Sequence, residues 1–315
     1  MQLERAVALA PGGVGNIGPG LDVLGMAVTG LGDRVTAERS GEPGVVMADG
    51  GHPDLPREAK RNAAGIAALA VLERAGARDV GVRLTLEKRL PLSGGQGGSA
   101  ASAVAGAVAV NRLLGGPLDA IALFECALVA ESRLSGRHGD NVASALFGGV
   151  ILVRTLDPPD IISLPFPPGL RVVLAHPAQR MNTAAAREVL PRFIDRGAVV
   201  SQMANVAAMV AAFASGDVAL LARALDDQIA EPARAVLLPG FTEAKAAALR
   251  AGALGGSISG AGPTSFYFTD DNATAGRIAA AVSAEYAARG IACDTRIEHV
   301  ASRGALTLPP GATSA

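Results

Sequence analysis

The chain has 315 residues, is 50% apolar with only 3% aromatic residues, and carries a formal net charge of −1. That length favours two domains with ample cores built from Ala, Val and Leu rather than large rings. The near-zero charge argues against nucleic acid or an anionic membrane surface as the main partner, so an anionic ligand has to be met by local donors.

In chain order, a short strand at 7–10 leads into the glycine-rich run Pro11 to Gly20, followed by an apolar stretch at 21–28 and a strand near 34–38. A loop and a helix over 62–75 come next, with Asn62 at the helix start. The alternation of Val80, Val82, Leu84 and Leu86 predicts a half-buried strand. A second glycine-rich run, Pro91 to Ser102, opens an almost wholly apolar helix over 100–114. Another helix follows, with Pro117 placed to begin it, and then a strand at 150–154. The proline cluster from Pro158 to Pro168 predicts a domain boundary, giving an N-terminal domain over 1–158, a C-terminal domain over 159–303 and a tail over 304–315. The second domain reads as a strand at 172–175, several helices between 183 and 225, a helix at 241–251, strands at 254–258 and 265–268, a helix at 273–289 and a strand at 291–300. Interleaved strands and helices without a fixed repeat make both halves α+β, the second like a split βαβ unit. The longest apolar runs are broken short of a membrane span, and Met1 to Arg5 lacks a secretory pattern, which predicts a cytoplasmic protein with no membrane partner. Cys126 and Cys293 are too few for a disulfide framework and read as small buried hydrophobes.

The strand, glycine-rich loop and helix around residues 80–114 suit a phosphate, because glycines let backbone N–H groups face a ligand and a helix start adds unsatisfied donors. A P-loop is excluded, since lysine occurs only at 60, 88 and 245 and none follows the last glycine of the loop. Gly95 to Ala100 with Asp119 fits a dinucleotide fingerprint formally, but helix follows helix where that fold demands a strand. A glycine-rich helix entry in a crowded fold is the bland alternative.

Three glycine-rich segments stand in order, at 11–22, 91–102 and 255–264. Their order and spacing resemble the three motifs of the kinase superfamily named for galactokinase, homoserine kinase, mevalonate kinase and phosphomevalonate kinase. In detail they are similar to the homoserine kinases: Asn16-Ile17-Gly18-Pro19-Gly20-Leu21-Asp22 in the first motif, Ser135 to Ala143 with its His138, Asp140 and Asn141, Glu231-Pro232-Ala233-Arg234, and Ile258 to Thr264. The resemblance runs from about residue 6 to 300. It implies an N-terminal domain like ribosomal protein S5 domain 2 and a ferredoxin-like C-terminal domain. It implies an ATP-dependent kinase making O-phospho-L-homoserine for threonine synthesis, in a homodimer. Another acceptor within the superfamily, such as mevalonate, shikimate or a sugar, and a non-catalytic sensor on the same fold are the alternatives.

By the same resemblance, Pro91, Ser93, Gly94, Gly95, Gln96, Gly97, Gly98, Ser99 and Ala100 hold the nucleotide phosphates, and Asn62 lies near the adenine. Ser99 and Glu131 hold Mg²⁺. Asn16, Asp22, His138, Asn141, Thr183, Arg187 and Arg234 bind the acceptor, with the arginines on its carboxylate because a guanidinium fork takes two oxygens at once. Asp140 positions the hydroxyl and secondarily accepts its proton. Relatives usually carry Leu-Gly-Ser-Ser where this chain has Gln96-Gly97-Gly98-Ser99, which removes one hydroxyl near the phosphates. Without the resemblance, Ser99 and Asn62 read as helix N-caps, Asp22 as a turn residue, and the arginines as surface charge.

Overall fold

The computed structural model describes residues 3–181 and 183–309, without the side chains of Thr183 and Ala184. The first half is built on β1 (Arg5–Gly15) and the long β2 (Leu24–Ser40), paired antiparallel from Arg5↔Glu38 to Gly15↔Gly25 with a register shift between Pro11 and Gly13. The apolar stretch and the strand expected at 21–38 are therefore one continuous strand, because β2 keeps pairing with β1 on both sides of that shift. β3 (Gly44–Asp49) falls where a loop was expected and lies parallel to β4 (Gly81–Glu87). Helix α1 (Ala63–Arg74) is capped by Asn62, whose Oδ1 accepts from the N–H of Ala64 at 3.1 Å.

α2 (Gly98–Leu113) and α3 (Ala120–Leu134) follow. Asp119, not Pro117, begins α3: its carboxylate accepts from the N–H of Ala122 at 2.8 Å, supplying an acceptor that proline lacks. A third helix, α4 (Asp140–Phe147), precedes β5 (Val150–Leu156). The expected domain boundary at 158/159 lies in the turn joining β5 to β6 (Pro159–Leu164), and both strands belong to the first sheet. The prolines sit at an edge hairpin, where a missing N–H is tolerated.

The second half contains β7 (Arg171–Pro177), α5 (Thr183–Glu188), α6 (Arg196–Ser215), α7 (Val218–Ala224), α8 (Ala230–Ala235), α9 (Phe241–Arg250), β8 (Gly255–Ile258), β9 (Ser265–Thr269), α10 (Asn272–Ala287) and β10 (Cys293–His299). Its four strands run in the order β10-β7-β9-β8, all neighbours antiparallel, which is the split βαβ arrangement of a ferredoxin-like domain. β11 (Leu306–Leu308) returns to pair with β1, so the described part of the expected tail is an edge strand of the first sheet, which has seven strands among the described residues.

Small side chains let α1, α2 and α3 approach each other and the first sheet closely, with Ala67, Ala101, Ala105, Val104 and Phe124 fully buried among them. A second core joins the halves: Val14, Ile17, Leu24 and Met26 pack with Leu174, Met209, Phe213, Phe266 and Phe268. That shared apolar seam fixes the two glycine-rich loops of the first half against the second sheet. α6 is long and apolar enough to cross a membrane by length and composition, against the sequence expectation of shorter runs. Its Met209 and Phe213 instead fill this seam, and Gln202 donates from it to the carbonyl of Pro19 at 2.7 Å. Cys126 is buried in the first core as expected, and Cys293 is half-buried on β10.

Candidate active site

A cavity of about 850 Å³ opens between the two halves. One wall is the glycine-rich loop, which leaves β4 and enters α2 through Gly97. Gly97 has φ +66°, a left-handed turn that glycine adopts without strain. Pro91, Ser93, Gly94, Gly95, Gly97, Gly98, Ser99 and Ala100, expected from the sequence to hold the nucleotide phosphates, all line the cavity. Gln96 does not, because its side chain turns into the second half. The loop's carbonyls are held from outside: Ser259 Oγ donates to Gly95 O at 2.6 Å, and Gly13 N donates to Gln96 O at 3.1 Å.

Lys88 was not singled out from the sequence, yet it lies under this loop. Its ammonium donates to Gly98 O at 2.7 Å, to Ser102 Oγ at 3.2 Å and to the carboxylate of Asp33, so all three protons are spoken for. Asp33 in turn accepts from the N–H groups of Arg89 and Leu90 at 3.0 and 3.1 Å. A Cβ on Gly98 would stand 2.8 Å from Lys88 Nζ, so the ammonium occupies the room that a serine there would need. The pattern held a signal: Val82, Leu84 and Leu86 alternate on the buried face, and Lys88 continues their period.

Five buried side-chain polar atoms without a hydrogen-bond partner converge on the cavity: Ser99 Oγ, Glu131 Oε2, His138 Nε2, Asn141 Oδ1 and Arg187 Nε. Buried polar atoms are normally satisfied, so a cluster of orphans in one cavity marks a place built for something polar to bind. Burial pushes the Glu131 carboxyl up to about 7, with the neighbouring Asp140 adding to the rise. The nearby Ser99 hydroxyl offsets part of this, although no well-aligned hydrogen bond joins the two.

Asp140 is the first residue of α4 and almost wholly buried. Burial and the charge of Asp22 raise its carboxyl to about 6, while N–H groups of Asn141 and Asn16 hold it down. The Asn16 N–H donates to Asp140 Oδ2 at 3.1 Å. Asn16 also donates from Nδ2 to Gly260 O and accepts at Oδ1 from the N–H of Asp22, each at 3.1 Å.

At the acceptor end, Arg187 Nη2 lies 2.9 Å from Asp22 Oδ1, and His138 Nδ1 lies 3.3 Å from the same oxygen. Burial lowers the His138 pKa despite Asp22. Arg234 is 3% exposed and donates from Nε to Ala186 O at 3.0 Å and from Nη1 to Gly260 O at 2.8 Å. Burial and the neighbouring Arg187 both lower its pKa. No carboxylate lies within ion-pair distance of Arg234 among the described residues, so its charge is left for a ligand.

Asn62 lines the far end of the cavity while also capping α1 and donating to Pro56 O at 3.1 Å. Thr183 begins α5, but its side chain lies outside what the structure describes. The third glycine-rich segment forms the tight turn between β8 and β9, and its Gly260, Ala261 and Gly262 close the cavity from the second half.

A phosphate-type loop, the buried oxygens of a serine and a glutamate, and opposite charges ready for a small zwitterion define a small-molecule kinase site. The chain matches the family described as GHMP kinases N terminal domain over residues 61–149 and GHMP kinases C terminal over 209–288. It is 41% identical to a homoserine kinase of Chlorobium phaeobacteroides (strain BS1), over 90% of this chain and 92% of that one. It is 45% identical to a homoserine kinase of Arabidopsis thaliana, over 83% of this chain and 73% of that one. The crystal structure of homoserine kinase from Cytophaga hutchinsonii superposes with a TM-score of 0.94 at 38% identity, covering 98% of each chain. The fold extends to L. major mevalonate kinase, with a TM-score of 0.68 at 18% identity over 97% of this chain and 96% of that one. The chain belongs to the GHMP kinases and, among them, to the homoserine kinase family.

Proposed function

We propose that the chain transfers the γ-phosphoryl group of ATP to the side-chain hydroxyl of L-homoserine, giving O-phospho-L-homoserine and ADP for threonine synthesis. The observation that carries the acceptor choice is the Asp22–Arg187 pair at 2.9 Å beside the uncompensated Arg234. An amino acid presents both charges at once. Its ammonium takes Asp22 and its carboxylate takes Arg187 and Arg234, so the ligand's own charges replace the ion pair it opens. An acceptor with a carboxylate but no ammonium would draw Arg187 away from Asp22 and leave that carboxylate only His138, 3.3 Å away.

Phosphoryl transfer consists mostly of positioning and neutralisation of charge. The N–H groups of residues 94–99 and the start of α2 receive the nucleotide phosphates, while Lys88, with its protons committed, braces the loop from behind. Ser99 Oγ and Glu131 Oε2 are buried, unpartnered hard-oxygen donors that fit Mg²⁺, which prefers such ligands and retains several waters. Bound there, Mg²⁺ would neutralise charge on the nucleotide oxygens. Asp140 orients the acceptor hydroxyl, held in place by the Asn16 N–H. The hydroxyl oxygen forms its bond to the γ-phosphorus as the bond to the β–γ bridging oxygen breaks. The hydroxyl proton passes to Asp140, and ADP leaves with the bridging oxygen. A carboxyl raised to about 6 accepts that proton more readily than an ordinary aspartate.

The test is ADP release with homoserine, mevalonate and shikimate supplied side by side. Turnover with homoserine alone is expected. Turnover with mevalonate but not homoserine refutes the acceptor assignment, and silence on all three favours a binding protein on this fold.

A further inference from the structure

Within the glycine-rich loop, Gln96 alone among residues 93–100 sends its side chain away from the cavity, and it is 1% exposed. The homoserine kinase pattern places a leucine there. A buried primary amide must find partners or bear the full cost of desolvation. Gln96 finds them in the other half of the molecule. Its Nε2 donates to Thr264 Oγ1 at 3.1 Å, and its Oε1 accepts from the guanidinium of Arg296. Thr264 Oγ1 is also 2.9 Å from His176 Nδ1 on β7. Arg296 projects from β10, with Glu298 at 3.5 Å and Asp294 at 4.0 Å. The amide therefore plugs into a polar socket on the four-stranded sheet.

The neighbouring carbonyls of the loop are gripped from the same side. Ser259 Oγ takes Gly95 O, and the N–H of Thr264 donates to Gly94 O at 3.3 Å. The loop lies so close to this turn that a Cβ on Gly95 would stand 2.5 Å from Ser259 O. A peptide plane whose carbonyl is fixed on one side presents its N–H on the other, and the other side is the cavity. Gln96 itself touches neither the cavity nor the acceptor residues.

We infer that Gln96 is a positioning residue for the nucleotide: anchored by Arg296 and Thr264, it sets the peptide planes of residues 94–98 so that their N–H groups meet the phosphates. A leucine at this position would fill similar space but take the amide from between Arg296 and Thr264, leaving the guanidinium to Glu298 and Asp294 and the hydroxyl to His176. The loop of this chain thus takes its posture from the second half through a side-chain anchor.

The test compares full-length Gln96→Leu, Gln96→Glu, Arg296→Met and the Gln96→Leu/Arg296→Met double variant. ADP affinity is measured by calorimetry, KM for ATP and for homoserine by kinetics, and folding by thermal unfolding. Gln96→Leu should weaken ADP binding and raise KM for ATP about tenfold, the loss expected for one hydrogen bond to a charged group. KM for homoserine should stay within about twofold, since the Asn16 and Arg234 bonds to Gly260 are untouched. Gln96→Glu keeps the acceptor for Arg296 and should bind ADP within about threefold of the unaltered chain. The double variant should be no worse than the weaker single one, because both remove the same contact. Unchanged ADP affinity in Gln96→Leu, equal rises in both KM values, additive losses in the double variant, or no recovery in Gln96→Glu overturns the inference. Should Gln96→Leu fail to fold, the comparison of Arg296→Met with Gln96→Glu decides: about tenfold weaker ADP binding in the former alone supports it, and equal affinity overturns it.

Discussion

Replacing Asp140 by Asn separates what that carboxylate does for catalysis from what it costs the fold. Asp140 is buried at the start of α4, and its carboxyl rises from 3.8 to about 6, chiefly because burial disfavours its charge. In the unfolded chain it titrates near an ordinary aspartate. Its contribution to stability is therefore fully present below pH 4 and is lost as pH rises through about 6. A shift of two units corresponds to about 3 kcal/mol, at 1.36 kcal/mol per unit. Asn keeps an acceptor for the Asn16 N–H but carries no charge. At pH 8 the Asp140→Asn chain should therefore be more stable than the original by up to about 3 kcal/mol, and the gap should shrink on lowering the pH to 5. Its kcat should fall at least about a hundredfold, the usual contribution of a positioned proton acceptor. Urea unfolding of both chains at pH 5 and pH 8, with steady-state kinetics at pH 8, measures both effects. A variant no more stable at pH 8, or a stability gap independent of pH, would refute the assignment of the raised carboxyl to Asp140.

Glu131→Gln should abolish the part of the thermal stabilisation by ADP that depends on Mg²⁺ and lower kcat about a hundredfold or more; a variant that keeps full Mg²⁺ dependence in both readouts counts against Ser99 and Glu131 as the metal ligands. Asp22→Asn should raise KM for homoserine about tenfold or more by removing the ammonium partner. Because Asp22 helps raise the Asp140 carboxyl, the same variant should move the acid limb of kcat to lower pH, and a limb that moves upward contradicts the coupling. Lys88→Met strands a buried carboxylate and should destabilise the chain by about 3–5 kcal/mol, with Asp33→Asn on top restoring part of the loss. Equal stability of Lys88→Met and the original in urea would show that the Lys88–Asp33 pair does not brace the loop.

The glycine-rich loop and the helix it opens were legible because each depends on local chemistry, whereas the acceptor segment around His138 was reached through its resemblance to the homoserine kinases. Glycine is needed where the backbone itself must face a ligand, and a run of small apolar residues forms a helix that packs closely. The four-stranded sheet was legible for the same reason, through its spacing of strands and helices. β3, β6 and β11 were not, since Gly44–Asp49 and Leu306–Leu308 are strands only because β4 and β1 offer them an edge. β6 was hidden behind prolines that the edge of a hairpin tolerates.

In the site, the resemblance to the homoserine kinases nominated Ser99, Glu131, Asp140 and the arginines, since by residue type alone Ser99 reads as a helix cap and the arginines as surface charge. Which of them meet was decided by the apolar seam between the halves, which brings Asp22 to Arg187 across 165 residues and Asn16 to Gly260 across 244. Asp33 lies inward on β2 and Lys88 continues the inward period of β4 one residue past its end, so their polarity was readable as an anomaly. That they cancel one another under the loop follows only from the pairing of β2 with β4, which stops one residue short of both at Arg34↔Glu87. The sequence determined the groups and the local backbone able to bind a phosphate. Tertiary packing decided how far burial shifts each charge and which partner each finds, because both depend on neighbours distant in the chain.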